Sequence, residues 1–264
     1  MAAPPESVLQ GPDHALAWRE SRALLDMGRM ALPLLLPAGK ARARRRRHII
    51  VMPGFGANDH VTWPLRRYLI KLGHHAEGWG LGLNRAGVDI AHTQDDLSSG
   101  WDIERVADYR NEGSVVMLCE RMLARARERY AELGAPLTLI GWSLGGVVAR
   151  EVARDLPDAV EEVITLGTPV QGGPKYTRAA AFFRDRGMDL DWIEREVRKR
   201  DEGRPLTAPI TVIASPSDAV VGHAATHDHH SHDVRHLDVD AAHLGLVFNP
   251  TVWRMIADTL NRRG

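Results

Sequence analysis

The stretch Ile140-Gly141-Trp142-Ser143-Leu144-Gly145-Gly146 is a glycine-flanked serine at the end of an apolar run. Residues 137–140 before it are short, branched and apolar, which predicts a buried strand, and residues 147–154 after it predict a helix. Glycine on both sides of the serine permits a turn too sharp for larger side chains. Such a turn holds the Ser143 hydroxyl above the sheet and directs a helix N-terminus at it. The pattern predicts a nucleophile elbow, against the alternative of a surface turn that happens to contain a serine.

Strands and helices alternate along the rest of the chain. Predicted strands cover residues 48–52, 74–79, 137–140, 160–166, 210–214 and 234–239, and predicted helices cover residues 13–36, 62–72, 104–133, 145–155 and 250–262. This alternation favours the α/β class, with a mostly parallel central sheet and helices on both of its faces. At 264 residues we expect a single domain, 1–264, that begins with an N-terminal helical extension, 1–47.

Residues 170–206 interrupt the alternation. They follow a predicted strand that ends beside the serine turn, and they contain two amphipathic stretches with aromatic side chains among charges. An insertion at that place is typical of a helical lid over a substrate site. The alternative is a plain helical excursion on the surface.

Composition and charge exclude several classes of protein. Lys+Arg and Asp+Glu number 34 each, so nothing indicates a nucleic-acid partner. The first residues lack the basic start and long apolar core of a secretory signal, and the apolar run 30–36 is short and broken by Pro33. We therefore expect a cytoplasmic protein with no stable membrane insertion, whose oligomeric state stays open. The basic run 42–47 is expected to be a solvated approach to the first strand, with contact to anionic lipid or phosphate as the alternative.

The single cysteine, Cys119, excludes an intramolecular disulfide and agrees with a reducing compartment. It lies on the apolar side of a predicted helix. We expect a buried small side chain there rather than a reactive thiol.

A serine hydroxyl needs a base within hydrogen-bond reach, and that base needs a partner that fixes its tautomer. In this topology the acid and then the histidine follow later strands. The strand 210–214 leads into a loop with Asp218, and the next strand leads into a loop with His243. The sequence therefore predicts the triad Ser143, Asp218 and His243. The rival acids are Asp233, Asp238 and Asp240, and the rival bases are the histidines of residues 223–232.

Histidines are concentrated in the loop 223–232, just before the predicted base. Imidazole and carboxylate groups are ligands of zinc, so a metal site is one interpretation of this segment. The segment lacks the helical His-Glu-x-x-His spacing and is polar, which favours a solvated tract. We therefore assign no metal ligand and no cofactor from the sequence.

Further site residues follow from the position of the serine. The backbone N–H of Leu144 and that of Phe55, in the loop after the first core strand, are the predicted oxyanion donors. The aromatic residues beside the serine and in the insertion are the predicted substrate-binding residues: Trp142, Phe182, Phe183 and Trp192.

These motifs resemble those of bacterial lipases and esterases of the α/β-hydrolase superfamily. The similarity covers most of residues 48–262 and is carried by VMPGFGAND, TWPLRRYLIKLGH, GWGLGLN, IGWSLGG, ITLGTPVQGG, SPSDAVVG and AAHLGLVFNP. It implies the α/β-hydrolase fold and a serine hydrolase that cleaves carboxylic esters without a metal. It also puts Ser143, Asp218 and His243 at the family's triad positions, and Phe55 and Leu144 at its oxyanion positions. The chain departs from the family at Pro53-Gly54, where many lipases have His-Gly, and in its histidine-rich segment.

Ester or lipid hydrolysis is the leading functional hypothesis. The same nucleophile would also serve an acyltransferase or a thioesterase, because exclusion of water decides which acceptor reacts. The third hypothesis is a non-catalytic binding protein on a hydrolase scaffold. The retention of all three triad residues argues against it.

Overall fold

A six-stranded sheet forms the centre of the molecule. The computed structural model describes residues 9–37, 39–97, 101 and 113–262. The strands are β1 (His48–Met52), β2 (His75–Gly78), β3 (Leu137–Trp142), β4 (Val160–Leu166), β5 (Ile210–Ala214) and β6 (Val234–Asp238). Every neighbouring pair is parallel, in the order β2-β1-β3-β4-β5-β6. The predicted α/β class and mostly parallel sheet are confirmed.

Helices cover both faces of this sheet. They are α1 (Arg22–Arg29), α2 (Ala31–Leu35), α3 (Asp59–Leu72), α4 (Gly113–Leu133), α5 (Leu144–Asp155), α6 (Ala180–Asp185), α7 (Leu190–Gly203) and α8 (Pro250–Arg262). None of the helices in the described ranges has both the length and the apolar character needed to cross a bilayer. Of the predicted helix 104–133, residues 104–112 lie outside the described residues.

The two-residue period of β1 divides the core between the two faces. Ile50 packs with α4 and α5, while Ile49 and Val51 pack with α3 and α8 on the other side. Strands buried on both faces are apolar along their length, and β3 is buried at every position. Full burial of each large apolar side chain contributes about 1.5–3 kcal/mol, so the two clusters hold the helices against the sheet.

Helix α3 begins three residues before the predicted start at Thr62. Asn58 caps it by accepting a hydrogen bond from the N–H of His60, so the polar first turn is helical although it carries no apolar pattern. The sequence had predicted Pro64 in the first turn of the helix. In the structure Pro64 lies beyond that turn. Gly73, with φ of 107°, ends the helix as predicted.

The N-terminal extension differs from the prediction of one amphipathic helix. It consists of a 3-10 segment at residues 14–21 followed by the short helices α1 and α2. The apolar side chains Leu24, Leu25 and Leu32 are exposed, and Ala23 and Asp26 are the buried residues of α1. The prediction failed because these leucines point to solvent, while the segment attaches through other apolar side chains, such as Met30 and Leu34, and through polar contacts.

One residue of the basic run 42–47 is also placed differently. Arg47 is buried, and its guanidinium donates to the Glu162 carboxylate at 3.0 Å. The expected solvated run is therefore wrong at its last residue. Cys119 is buried as predicted, and this burial raises the pKa of its thiol.

Candidate active site

Ser143 lies at the turn between β3 and α5. Its backbone has φ of 53° and ψ of −125°, which a non-glycine residue rarely adopts. The two flanking glycines make this turn possible, because a Cβ at Gly141 would lie 2.3 Å from the Cα of Gly146, and one at Gly145 would lie 2.4 Å from the carbonyl oxygen of Met52. The turn has the geometry of a nucleophile elbow, with the N-terminus of α5 directly behind the serine.

Asp218 and His243 form a buried pair. Oδ2 of Asp218 lies 2.7 Å from Nδ1 of His243, and both side chains are almost fully excluded from solvent. The other carboxylate oxygen accepts the N–H groups of Val220 at 2.7 Å and Val221 at 2.8 Å. These bonds hold the carboxylate against Nδ1, which leaves Nε2 of the imidazole as the atom that can accept a proton.

The pKa of His243 is set by burial on one side and by neighbouring carboxylates, Asp218 foremost and then Glu20, on the other. Burial lowers it, while the charge of Asp218 and its hydrogen bond to the ring raise it, and the net result is a pKa above the ordinary value of 6.5. The imidazolium form is therefore stabilised by its carboxylate partner. This is the property required of a base that takes up a proton during a reaction.

Ser143 and His243 both line a cavity of about 260 Å³. Of the four aromatic residues predicted to contact substrate, Trp142, Phe183 and Trp192 lie in its wall. Phe182 is half-exposed and packs on the ring of Phe55, with ring centroids 5.3 Å apart. The rest of the wall is mostly aliphatic.

The rival acids have other partners or positions. Asp238 bonds Nε2 of His223 at 2.8 Å, and Asp240 forms a two-point ion pair with Arg22. Asp233 is exposed just before β6. In the described part of the chain, Asp218 is the carboxylate that hydrogen-bonds the imidazole of His243.

Solved structures share this architecture. A monoacylglycerol lipase from Paleococcus ferrophilus superposes with a TM-score of 0.53 at 15% identity, over 82% of this chain and 94% of that one. A lipase from Bacillus licheniformis gives 0.53 at 15%, over 84% and 95%. An α/β hydrolase enzyme from the metagenome of lagoon sediments of Mar Chica, Morocco, gives 0.53 at 12%, over 83% and 92%. The chain has the α/β-hydrolase fold.

At these identities the likeness concerns the fold, and one α/β-hydrolase fold supports many reactions. No protein-family model and no curated protein matches the sequence. The chemistry of the chain therefore depends on its own residues.

The predicted oxyanion residues Phe55 and Leu144 also line the cavity. Leu144 is the first residue of α5, where backbone N–H groups have no intrahelical partner. The loop that carries Phe55 is held by buried Asn84, whose side-chain amide donates to the carbonyl oxygen of Pro53 at 2.8 Å. Asn84 also accepts the N–H of Gly56 at 2.7 Å. The sequence analysis missed Asn84, because an asparagine in a Gly- and Asn-rich loop carries no local signal of such a role.

Glu20, in the N-terminal extension, joins the loop after β5, which carries Asp218 and is here called the acid loop, to the loop after β6, which carries His243 and is called the base loop. One carboxylate oxygen accepts the N–H of Ala219 at 3.3 Å and that of His243 at 3.0 Å, and the other accepts the N–H of Leu244 at 3.2 Å. Ala219 is the neighbour of Asp218, and His243 and Leu244 belong to the base loop. The sequence analysis also missed Glu20, since no spacing rule links a residue to loops about two hundred positions later.

Two further hydrogen bonds connect the same loops. The Ser215 hydroxyl donates to the carbonyl oxygen of Ala241 at 2.6 Å, and the Trp142 indole donates to that of His243 at 3.1 Å. Trp142 therefore positions the base loop in addition to forming part of the cavity wall.

A buried network of ion pairs adjoins the wall of the cavity. Arg150 of α5 bonds Asp201 of α7 at 3.0 Å and also bonds Asp228. Arg200 bonds Glu151 at 2.9 Å, and both of these residues contribute to the cavity wall. Burial favours the neutral form of each carboxyl, but Arg150 outweighs it and keeps the pKa of Asp228 well below its usual range. The network connects the insertion 170–206 to the central sheet through α5.

The histidine-rich loop folds into a cluster of imidazoles. The rings of His227 and His236 stack with centroids 4.8 Å apart, and the ring centroids of His227 and His229 are 6.0 Å apart. Burial, and then the neighbouring His227, lowers the pKa of both His229 and His236. The loop is therefore packed against β6, rather than the solvated tract that the sequence had predicted.

Proposed function

We propose that this chain is a serine hydrolase of carboxylic esters, with Ser143 as nucleophile, His243 as base and Asp218 as the residue that orients it. In this mechanism Nε2 of His243 takes the Ser143 proton as Oγ attacks the ester carbonyl. The N–H groups of Phe55 and Leu144 stabilise the oxyanion. The imidazolium then protonates the departing alcohol, and the acyl group stays on Ser143. Water deprotonated by His243 releases the carboxylic acid and restores the serine.

One observation carries this proposal. A serine on a strained turn at a helix N-terminus lines the same cavity as an imidazole whose Nδ1 is hydrogen-bonded to a buried carboxylate. These are the three roles that covalent acyl transfer needs, namely a nucleophile, a base and a group that fixes the tautomer of that base.

The cavity wall supports an apolar acyl group as the part of the substrate that is bound. Leu144, Phe183 and Met188 are among its lining residues, so a hydrocarbon chain gains free energy by leaving water there. In this proposal residues 170–206 belong to the same single domain and act as its lid, because Phe183, Met188 and Trp192 come from that insertion. An ester of medium or longer acyl chain fits this lining best.

Labelling with an activated fluorophosphonate tests the nucleophile. We expect the wild-type protein to be labelled at Ser143, and labelling to be lost in Ser143→Ala. The matched control is Ser21→Ala. It removes an exposed hydroxyl that does not line the cavity, and this variant should be labelled normally. A folded wild-type protein that stays unlabelled would refute the enzyme proposal.

Hydrolysis of p-nitrophenyl esters from acetate to palmitate tests the substrate class. We expect kcat/KM to rise with acyl length up to the chain that fills the cavity, and then to fall. If kcat/KM were highest for the acetate ester and fell steadily with acyl length, an acyl-binding role of the apolar wall would be contradicted.

A further inference from the structure

Three side chains outside the cavity converge at the end of β6. One potential ligand atom from each of His223, His227 and Asp238 lies within 4.8 Å of the others. Nε2 of His223 is already 2.8 Å from Oδ1 of Asp238. These residues come from two separate elements, since the histidines bracket a 3-10 turn at residues 223–226 and the carboxylate ends a strand.

The local structure explains why the three side chains face one another. Strand alternation puts His236 and Asp238 on the same face of β6, and the ring of His227 stacks on that of His236. Nδ1 of His227 is 3.1 Å from the carbonyl oxygen of His223, a contact that orients the ring and leaves Nε2 as its ligand atom. His236 supports the cluster from behind, because its Nε2 accepts the N–H of Asp228 at 3.1 Å.

We propose that His223, His227 and Asp238 form a zinc-binding site, with water in the fourth position. Two imidazoles and one carboxylate are a donor set that Zn²⁺ favours, and hard cations such as Ca²⁺ and Mg²⁺ prefer oxygen ligands alone. Ligand bonds of about 2.0–2.2 Å in a tetrahedron require the three side chains to move closer together than they are now. The side chains of His223 and Asp238 are 33% and 55% exposed, so a hydrated ion has access to the site.

The position of the site defines its role. The ligands lie between the two loops that carry the acid and the base, because His223 follows the Asp218 loop and Asp238 precedes the His243 loop. A bound ion would join these segments at the protein surface, away from the cavity wall. It would brace the two loops and would take no part in the reaction at Ser143.

Zinc uptake by tag-free protein tests the proposal without any assay of turnover. Equilibrium dialysis against Zn²⁺ should give one bound ion per chain. His223→Ala and Asp238→Asn should each lower the affinity at least tenfold. The matched control is His232→Ala, which removes an exposed histidine of the same loop outside the cluster and should bind like the wild type. Ser143→Ala should also bind normally, which separates this site from the proposed hydrolase activity.

Thermal unfolding gives a second readout that does not depend on the folding of His223→Ala. Zinc should raise the Tm of the wild type and of His232→Ala, since an ion that binds the folded state stabilises it, and it should leave the Tm of Asp238→Asn unchanged. A wild type that takes up no zinc overturns the proposal. Equal losses of affinity in His223→Ala and His232→Ala do so as well, because they indicate diffuse binding along the loop.

Discussion

At the scale of single residues, Ser143 adopts a backbone conformation that costs on the order of 1–3 kcal/mol outside glycine. The surrounding structure maintains it, since the N–H of Ser143 donates to the carbonyl oxygen of Leu166 at 2.8 Å and its own carbonyl accepts the N–H of Gly146 at 2.9 Å. A strained serine at a helix N-terminus is exposed to the cavity and close to unpaired backbone donors. The strained backbone of Ser143 therefore accompanies the placement of its hydroxyl at the cavity.

Replacement of Asp218 by asparagine should separate orientation from packing. Asp218→Asn keeps the shape of the side chain but removes the charge that holds the tautomer of His243, so we expect kcat to fall by about 10⁴-fold with the fold intact. The control is Asp233→Asn, at a rival acid that is exposed. Steady-state kinetics together with circular dichroism measure the effect. A larger loss of activity in the control would transfer the acid role away from Asp218.

The pH dependence follows from the raised pKa of His243. The base works only when its imidazole is neutral, so the rate of fluorophosphonate labelling should decrease as the pH falls through a midpoint above 6.5. In Asp218→Asn the midpoint should move to lower pH, because the charge that raises the pKa is gone and burial then dominates. A wild-type midpoint below 6.5 is incompatible with this arrangement.

At the scale of elements, the N-terminal extension contacts the loops that carry the acid and the base. Beside Glu20, Arg22 pairs with Asp240 in the base loop, and buried Asp26 accepts a hydrogen bond from Asn249 at 3.2 Å. The face of α1 that carries Asp26 is turned toward the protein, and Leu24 and Leu25 are exposed. The extension therefore contacts the loops of Asp218 and His243 through polar groups, in addition to packing Met30 and Leu34 against the core.

Two substitutions of Glu20 should distinguish positioning from charge. Glu20→Ala removes three hydrogen-bond acceptor contacts, so we expect kcat to fall about tenfold with little change in KM, since each contact to a charged group is worth about 1.5–3 kcal/mol and part of this loss is taken up by water. Glu20→Gln keeps an acceptor oxygen and should recover much of kcat. Both variants should shift the acid limb of the pH profile to lower pH, because the charge of Glu20 raises the pKa of His243.

The matched control for these variants is Arg22→Ala. It breaks another contact between the extension and the base loop but leaves the charge near His243 in place. We expect its acid limb to stay at the wild-type position. An equal shift in Arg22→Ala would mean that Glu20 acts only through the attachment of the extension.

At the scale of the whole molecule, buried charges join the insertion 170–206 to the central sheet. Arg150 lies on α5, directly after the nucleophile turn, and its partners Asp201 and Asp228 lie on α7 and in the histidine-rich loop. A buried ion pair contributes little net stability compared with apolar residues, but loss of one partner leaves an uncompensated charge. The network therefore penalises any arrangement in which α7 leaves its place.

Replacement of Arg150 by methionine should destabilise the protein strongly. Arg150→Met leaves the carboxylates of Asp201 and Asp228 without this partner, and we expect the free energy of unfolding to fall by about 3–5 kcal/mol in urea denaturation. Arg204→Met is the control, because Arg204 is half-exposed in its ion pair with Asp155 and its loss should cost less than about 1 kcal/mol. Similar losses in the two variants would show that burial does not control the effect.

Much of this protein could be predicted from local pattern in the sequence. The apolar runs predicted the strands. Their order along the chain predicted Ser143, Asp218 and His243 as site residues, because sites in parallel sheets form at the carboxyl ends of the strands. The structure brings Asp218 onto His243 at 2.7 Å. Glu20 and Asn84 were found only in the structure, because no period or motif indicated them. The histidine-rich loop had suggested a metal site in the sequence, but its pattern did not point to Asp238 as a partner of His223.

What the tertiary structure decided is the set of contacts between residues distant in sequence. Glu20 meets His243, and Arg150 meets Asp228, across long separations in the sequence. Periodicity reports which face of an element is apolar, because that depends on neighbours three or four positions away. Partners of buried charges depend on where other elements pack, and no local spacing records that. The sequence by itself therefore determined the elements and the candidate nucleophile, and the packing of those elements determined which charges, loops and histidines surround it.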